Sequence, residues 1–131
     1  MSAPTSGIID LRSPRSVGQT IDRLQELVKA RGLMVFGRID FSGDAERAGL
    51  VMRAMQLLIF GNPKAGTPLL VAAPRIGLDL PLKALAWEND ERSVWLSFKA
   101  PEDLEARYAL PHELTSNIAG IRALGEAAVA P

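Results

Sequence analysis

Met55-Gln56-Leu57-Leu58-Ile59-Phe60-Gly61-Asn62-Pro63-Lys64-Ala65-Gly66-Thr67-Pro68-Leu69 passes from an apolar run, through a turn, into a helix-forming segment. Met55 to Phe60 is apolar at nearly every position, which predicts a central strand covered on both faces. Gly61-Asn62-Pro63 stops that strand. Thr67 is a natural helix cap and Pro68 suits the first helical position, where an amide has no intrahelical acceptor, so a helix is expected through Leu69, Leu70 and Val71 towards Pro74.

On the N-terminal side, Ile8, Ile9 and Leu11 predict a first strand. Ser16 and Gln19 form a capping box before Val17, Ile21, Leu24 and Val28, whose steps of four, three and four are helical. Gly32 ends that helix, and Leu33 to Phe41 reads as a second strand, giving a βαβ-like start. Ser42-Gly43-Asp44 predicts the cap of a short helix ending near Gly49. On the C-terminal side, Leu82 to Glu88 and Ser93 to Lys99 predict a β-hairpin around Asn89-Asp90-Glu91-Arg92. Pairing Glu88 with Ser93 puts Leu85, Trp87, Val94, Leu96 and Phe98 on the core face, and Leu82, Ala84, Ala86 and Trp95 on the other. Pro101 to Tyr108 predicts one or two helical turns, and Leu114, Ile118, Ile121, Gly125 and Ala128 predict one C-terminal helix. These elements amount to an α+β fold: a compact two-layer domain with a mixed β-sheet of about five strands packed with helices. Residues 7–131 are expected to be a single domain behind a flexible N-terminal segment, residues 1–6.

With 131 residues, 47% hydrophobic and 23% charged, the chain has ordinary globular composition and length for one core. Fifteen basic residues balance fifteen acidic ones, so no summed field favours nucleic acid or an anionic membrane. The absence of Cys removes disulfides, thiolate nucleophiles and Cys-based zinc sites together, and one His cannot build a His-rich metal site, so neither metal nor cofactor is expected. His112 follows Leu110-Pro111 without a nucleophile signature and is expected to be exposed. The N-terminus lacks a secretory pattern and no apolar run spans a bilayer, which leads to the expectation of a soluble cytoplasmic protein.

Ile39-Asp40, Ala48-Gly49-Leu50, the run from Phe60 to Leu69, and Leu78-Asp79-Leu80-Pro81-Leu82-Lys83 resemble the domain of unknown function 302 family. The similarity extends more loosely from the first strand to the Pro101 turn. It implies a compact α+β fold with a mixed sheet and a bacterial or archaeal setting, with no established activity. Family members often carry a His after the Asp that matches Asp40 and a Pro-Thr after Arg53. This chain has Phe41 and Ala54-Met55, so a family site built on those groups is lost or changed here.

Gly61 to Thr67 has the glycine spacing of a phosphate loop, yet Thr67 stands where that loop needs its Lys, which excludes nucleotide hydrolysis. Amides at the helix start, helped by Lys64, could still hold a small anion weakly. The candidate ligand-binding residues are therefore Asp40, Arg53, Gly61, Asn62, Lys64, Gly66, Thr67 and Asp79, with plainer roles open to each. Asp40 and Asp79 can hold turns, and Arg53 can sit in a surface ion pair. The preferred expectation is a binding or interaction module, self-associating as a dimer. The alternative is an enzyme on a small anionic metabolite, anchored by Gly61 to Thr67 with Asp40 or Asp79 moving protons. Convergence of Asp40, Arg53 and Lys64 in one pocket would favour the enzyme.

Overall fold

Residues 7–131 are described by a computed structural model; the expected flexible segment lies outside them. Ile8–Ser13 forms β1, Met34–Asp40 β2, Met55–Gly61 β3, Leu82–Glu88 β4 and Val94–Lys99 β5. They lie in the order β1-β5-β4-β3-β2, and every neighbouring pair is antiparallel. The fold is α+β as expected, but the sheet is wholly antiparallel and not mixed. Helix α1, Val17–Ala30, joins β1 to β2, and these strands run the same way on opposite edges. Three strands added later fill the gap, so the βαβ-like start never becomes a parallel pair.

The capping box forms: Ser16 Oγ accepts from the Gln19 amide at 3.1 Å, and Gln19 Oε1 accepts from the Ser16 amide at 3.2 Å. Val17, Ile21, Leu24 and Val28 are buried against Leu58, Phe60, Ala84, Ala86, Leu96 and Phe98. Ala84 and Ala86 sit on the middle strand and leave room for the helix above them. Beside α1, helix α6, Gly120–Val129, adds Ile121, Leu124 and Ala128 to the same core.

Helix α2 is Phe41–Arg47 and helix α3 is Pro63–Ala72. The latter starts earlier than expected, capped by Asn62 with Pro63 in its first turn, so Pro68 lies inside it. An Asn-Pro pair one turn upstream offers the same cap and the same missing amide as Thr67-Pro68. Helix α4 is Pro101–Tyr108, and the expected single C-terminal helix is divided into α5, His112–Thr115, and α6. Bonds from Asn117 to Leu114 and from Ile118 to Thr115 tighten the chain between them into i,i+3 turns. Leu69, Ile76, Leu104, Leu110 and Ile118 form a second cluster drawn from α3, the 3-10 turn Pro74–Leu78, α4, the link after it and the turn before α6.

The hairpin register differs from expectation by one residue. Glu88 pairs with Val94 and Leu85 with Ser97. Arg92 takes a left-handed conformation, φ 62°, and Asn89 Oδ1 accepts from the amides of Glu91 and Ser93, which accommodates one more loop residue. A slip of one residue turns β4 over while β5 keeps its expected face. Ala84, Ala86, Val94, Leu96 and Phe98 therefore face α1 and α6, while Leu85, Trp87 and Trp95 face the other way. On β3, Leu58 and Phe60 are buried but Leu57 and Ile59 are only half-buried, so the strand is not covered on both faces.

Candidate functional site

Antiparallel pairing places the end of β2 beside the start of β3, and the end of β3 beside the start of β4 and the end of β5. Asp40 and Arg53 therefore stand at one end of the sheet, while Gly61 to Thr67 and Asp79 stand at the other. A six- or seven-residue strand separates them by roughly 20 Å.

Asp40 caps α2: its Oδ1 accepts from the Gly43 amide at 2.9 Å and the Ser42 hydroxyl at 2.7 Å. Those two bonds, the Gly43 amide foremost, hold its carboxyl below the ordinary value. Arg53 reaches Asp90 at 3.1 Å and Glu88 at 3.5 Å, an exposed ion-pair set at the hairpin end. His112 is exposed, with Nδ1 2.8 Å from Glu105 Oε1.

A cavity of about 200 Å3 lies against the Gly61 to Thr67 segment, lined by Asn62, Gly66, Thr67 and the apolar Phe36, Leu70 and Pro81. The first-turn amides of α3 are already engaged. Pro63 has none, the Lys64 amide donates to Asn62 Oδ1 at 3.0 Å, and those of Ala65 and Gly66 donate to the Asn62 carbonyl at 3.0 and 2.8 Å. Lys64 is exposed and outside the cavity wall. The donors on which the small-anion expectation relied are thus spoken for by the turn itself.

The observed hairpin register produces a different cluster. Lys83 and Lys99 each lie two residues beyond the last bonded pair, Leu85↔Ser97, on the same face of neighbouring strands, close enough for the charge of Lys99 to act on Lys83. Like charges so placed repel, and Asp79 moderates the repulsion: its carboxylate accepts from the Lys99 ammonium and from the Tyr108 hydroxyl. Burial pushes the Asp79 carboxyl up, but the bonds from Lys99 and Tyr108 and the charges of Lys99 and Arg107 outweigh it and hold it below the ordinary range. The same bond to Asp79 raises the Tyr108 hydroxyl. Lys83 Nζ donates to the carbonyls of Pro81 at 3.0 Å and Asp79 at 3.3 Å. Burial lowers its ammonium, opposed by Asp79 and reinforced by Lys99. A cavity of about 210 Å3 opens beside these groups, its wall including Lys83, Lys99, Asp79, Ser97, Leu57 and Leu85. Neither cavity has Asp40, Arg53 or Lys64 in its wall.

Asp79 was recognisable from its place before Leu80-Pro81, but Lys83, Lys99 and Tyr108 were not. In the expected register Lys83 would have faced Phe98. The available signal was the alternation itself: Lys83 and Lys99 share the strand face of Leu85 and Ser97, where each is the one charged residue of its strand. Elsewhere on that face Trp87 pairs with Trp95, Trp87 Nε1 donates to Ser97 Oγ at 2.8 Å, and the Arg12 guanidinium lies 5.9 Å from the Trp95 ring centre. Among the described residues no three His, Cys, Asp or Glu side chains gather to hold a metal ion, and no helix is long and apolar enough to cross a membrane.

Comparison with known proteins agrees with this architecture. A solved structure described as an uncharacterized conserved protein DUF302 from Bacillus stearothermophilus superposes with a TM-score of 0.76 at 20% identity, covering 95% of this chain and 97% of the other. Curated relatives include fluoride-specific ion channel FluC 1 of Brucella suis and FluC 2 of Brucella melitensis. Each is 42% identical over 114 residues, or 87% of this chain. Those residues make up 44% and 42% of the two proteins, so the chain spans less than half the length of the curated relatives it matches. The family model for the domain of unknown function DUF302 matches residues 9–128, and the chain belongs to that family.

Proposed function

We propose that residues 7–131 are one soluble binding and interaction domain that works as a homodimer, joined through the sheet face opposite α1 and α6. One observation carries this reading: Ile39, Met55, Leu57, Ile59, Leu85, Trp87 and Trp95 share that face and are only half-buried in a single copy. Two such faces can pack as a sandwich. Five strands of six or seven residues give a footprint of roughly 500 Å2 per copy, or roughly 1,000 Å2 between two, the size at which a specific interface becomes credible. A formal net charge of +0 means that two copies do not repel as wholes.

The enzyme alternative, chemistry on a small anionic metabolite, needs its candidate residues together. The separation of Asp40 and Arg53 from Lys64 by the length of the sheet weighs against it, and Asp79, at the same end as Gly61 to Thr67, lies in the wall of a different cavity. A cytoplasmic location fits the absence of Cys. In the Brucella relatives a similar stretch accompanies the larger part of proteins named fluoride-specific ion channels. By that analogy this domain would act as a docking or ligand-binding unit, and no channel activity is assigned to it.

The two tryptophans of the chain both stand on the proposed interface, which makes them a built-in probe. Sedimentation at micromolar concentration should give a dimer, and dilution should shift the emission to longer wavelength as both rings meet water. Leu57→Glu should leave a folded monomer. Sedimentation as a monomer alone, or a Leu57→Glu protein that remains dimeric, would sink this reading.

A further inference from the structure

We infer that the cavity between Lys83, Lys99 and Asp79 binds a small organic monocarboxylate, with the carboxylate on the Lys83 ammonium and the apolar body along Leu57 and Leu85. The site lies within one chain, and because Leu57 and Leu85 also stand on the proposed dimer face, the ligand and a second copy compete for them.

Three observations lead to it. First, Lys83 lacks a counter-ion: among the described residues the Asp79 carboxylate pairs with Lys99, and no carboxylate oxygen lies within ion-pairing distance of Lys83 Nζ. Its two bonds, to the carbonyls of Asp79 and Pro81, use two of three N–H donors and aim the head group without neutralising it. A half-buried ammonium in that condition is costly to keep, as its lowered proton affinity indicates. An anion would supply the missing charge.

Second, the local charge selects the ligand's charge. Lys83 and Lys99 contribute two positive charges and Asp79 one negative, and Arg107, which also acts on Asp79, is paired with Asp103, leaving a single positive charge for a monoanion to balance. Asp79 stands close enough to disfavour a doubly charged phosphate, and Tyr108 fixes it there. Third, the wall is largely apolar, with Leu57 and Leu85 continuing from the lysines and Ser97 the one uncharged polar side chain. A cavity of ~150 Å3 holds benzene, so about 210 Å3 accommodates a short acyl chain or a single ring carrying a carboxylate.

The test is a titration with sodium hexanoate, followed through the amide resonances of Leu57, Lys83 and Leu85, with hexanol and inorganic phosphate as controls. Hexanoate at millimolar concentration should shift all three, and both controls should bind about tenfold more weakly or less. Lys83→Met should reduce hexanoate affinity about tenfold, Lys83→Arg should retain most of it, and Lys64→Ala, outside the cavity, should leave it unchanged. The urea midpoint of each variant separates lost binding from lost folding. No response from the unaltered protein overturns the proposal, as does equal binding of hexanol, or undiminished affinity in a folded Lys83→Met protein. Phosphate binding better than hexanoate would replace the carboxylate by an inorganic anion and likewise overturn it. Titration of the Leu57→Glu monomer is avoided because Leu57 lines the cavity. Sedimentation of the unaltered protein without hexanoate decides the dimer separately, and bound hexanoate should shift a dimer towards monomer.

Discussion

Replacing Gly125 by Ala should destabilise the protein although it improves the helix. Gly125 lies in the interior of α6, where Gly costs about 0.8–1.0 kcal/mol relative to Ala. An added Cβ, however, would stand 2.6 Å from Phe98 Cε1, 3.1 Å from Phe98 Cζ and 3.4 Å from Leu11 Cδ1. Carbon pairs settle at about 3.5–4.0 Å, so the ring would have to retreat by roughly 1 Å. Phe98 is 4% exposed within the core that α1, α6 and the sheet share, so that retreat must disturb its neighbours. Overpacking of this kind costs about 1–3 kcal/mol, which leaves a net loss of about 1 kcal/mol after the helical gain. Gly66 provides the comparison: it lies within α3, meets nothing within 4 Å of a built Cβ and does not have positive φ. Gly66→Ala should therefore gain about 0.5–1 kcal/mol. The two variants should differ by about 2 kcal/mol, or roughly 1 M in urea midpoint for a slope near 2 kcal/mol/M. Equilibrium urea unfolding by far-UV circular dichroism measures the difference. A Gly125→Ala midpoint equal to or above that of Gly66→Ala would refute the close approach of α6 to Phe98.

Ser16→Ala should cost about 1 kcal/mol, read as a lower urea midpoint at unchanged slope, because the α1 capping box loses its side-chain acceptor. Asp79 should titrate below its ordinary value of 3.8, visible in the carboxyl carbon resonance. Its folded-state affinity for a proton is lowered, so its stabilising contribution is fully present above 3.8 and is lost as pH falls through the lower folded value. Asp79→Asn should accordingly be less stable than the unaltered protein at pH 7, with the gap narrowing below 3.8. A gap that widens on acidification would contradict the pairing with Lys99 and Tyr108.

Local chemistry determined much of the fold. Helix α1 was readable because its cap, its periodicity and its terminal Gly32 are all encoded within seventeen residues, Ser16 to Gly32. The five strands and the α+β class likewise follow from neighbouring residues, residues 9–128 carry the family likeness, and the α2 cap expected at Ser42-Gly43-Asp44 falls to Asp40 just before them. The strand directions were not readable, since α1 can join neighbours or opposite edges equally well, and only the insertion of β3, β4 and β5 between β1 and β2 decides. The hairpin face was not readable either. On β5 the alternation is plain, Val94, Leu96 and Phe98 against Trp95, Ser97 and Lys99, but both sets of β4 hold apolar residues, small Ala84 and Ala86 against large Leu85 and Trp87, and the left-handed Arg92 with the Asn89 side chain selects the register. That single-residue choice turned Trp87 to the face of Trp95, carried Lys83 to the face of Lys99, and so created the candidate site. Residues sixteen positions apart meet there through pairing that no local propensity encodes, with Asp79 and Tyr108 delivered by the 3-10 turn and α4. Local chemistry sets each element, whereas the contacts between elements depend on burying one face of the whole sheet at once.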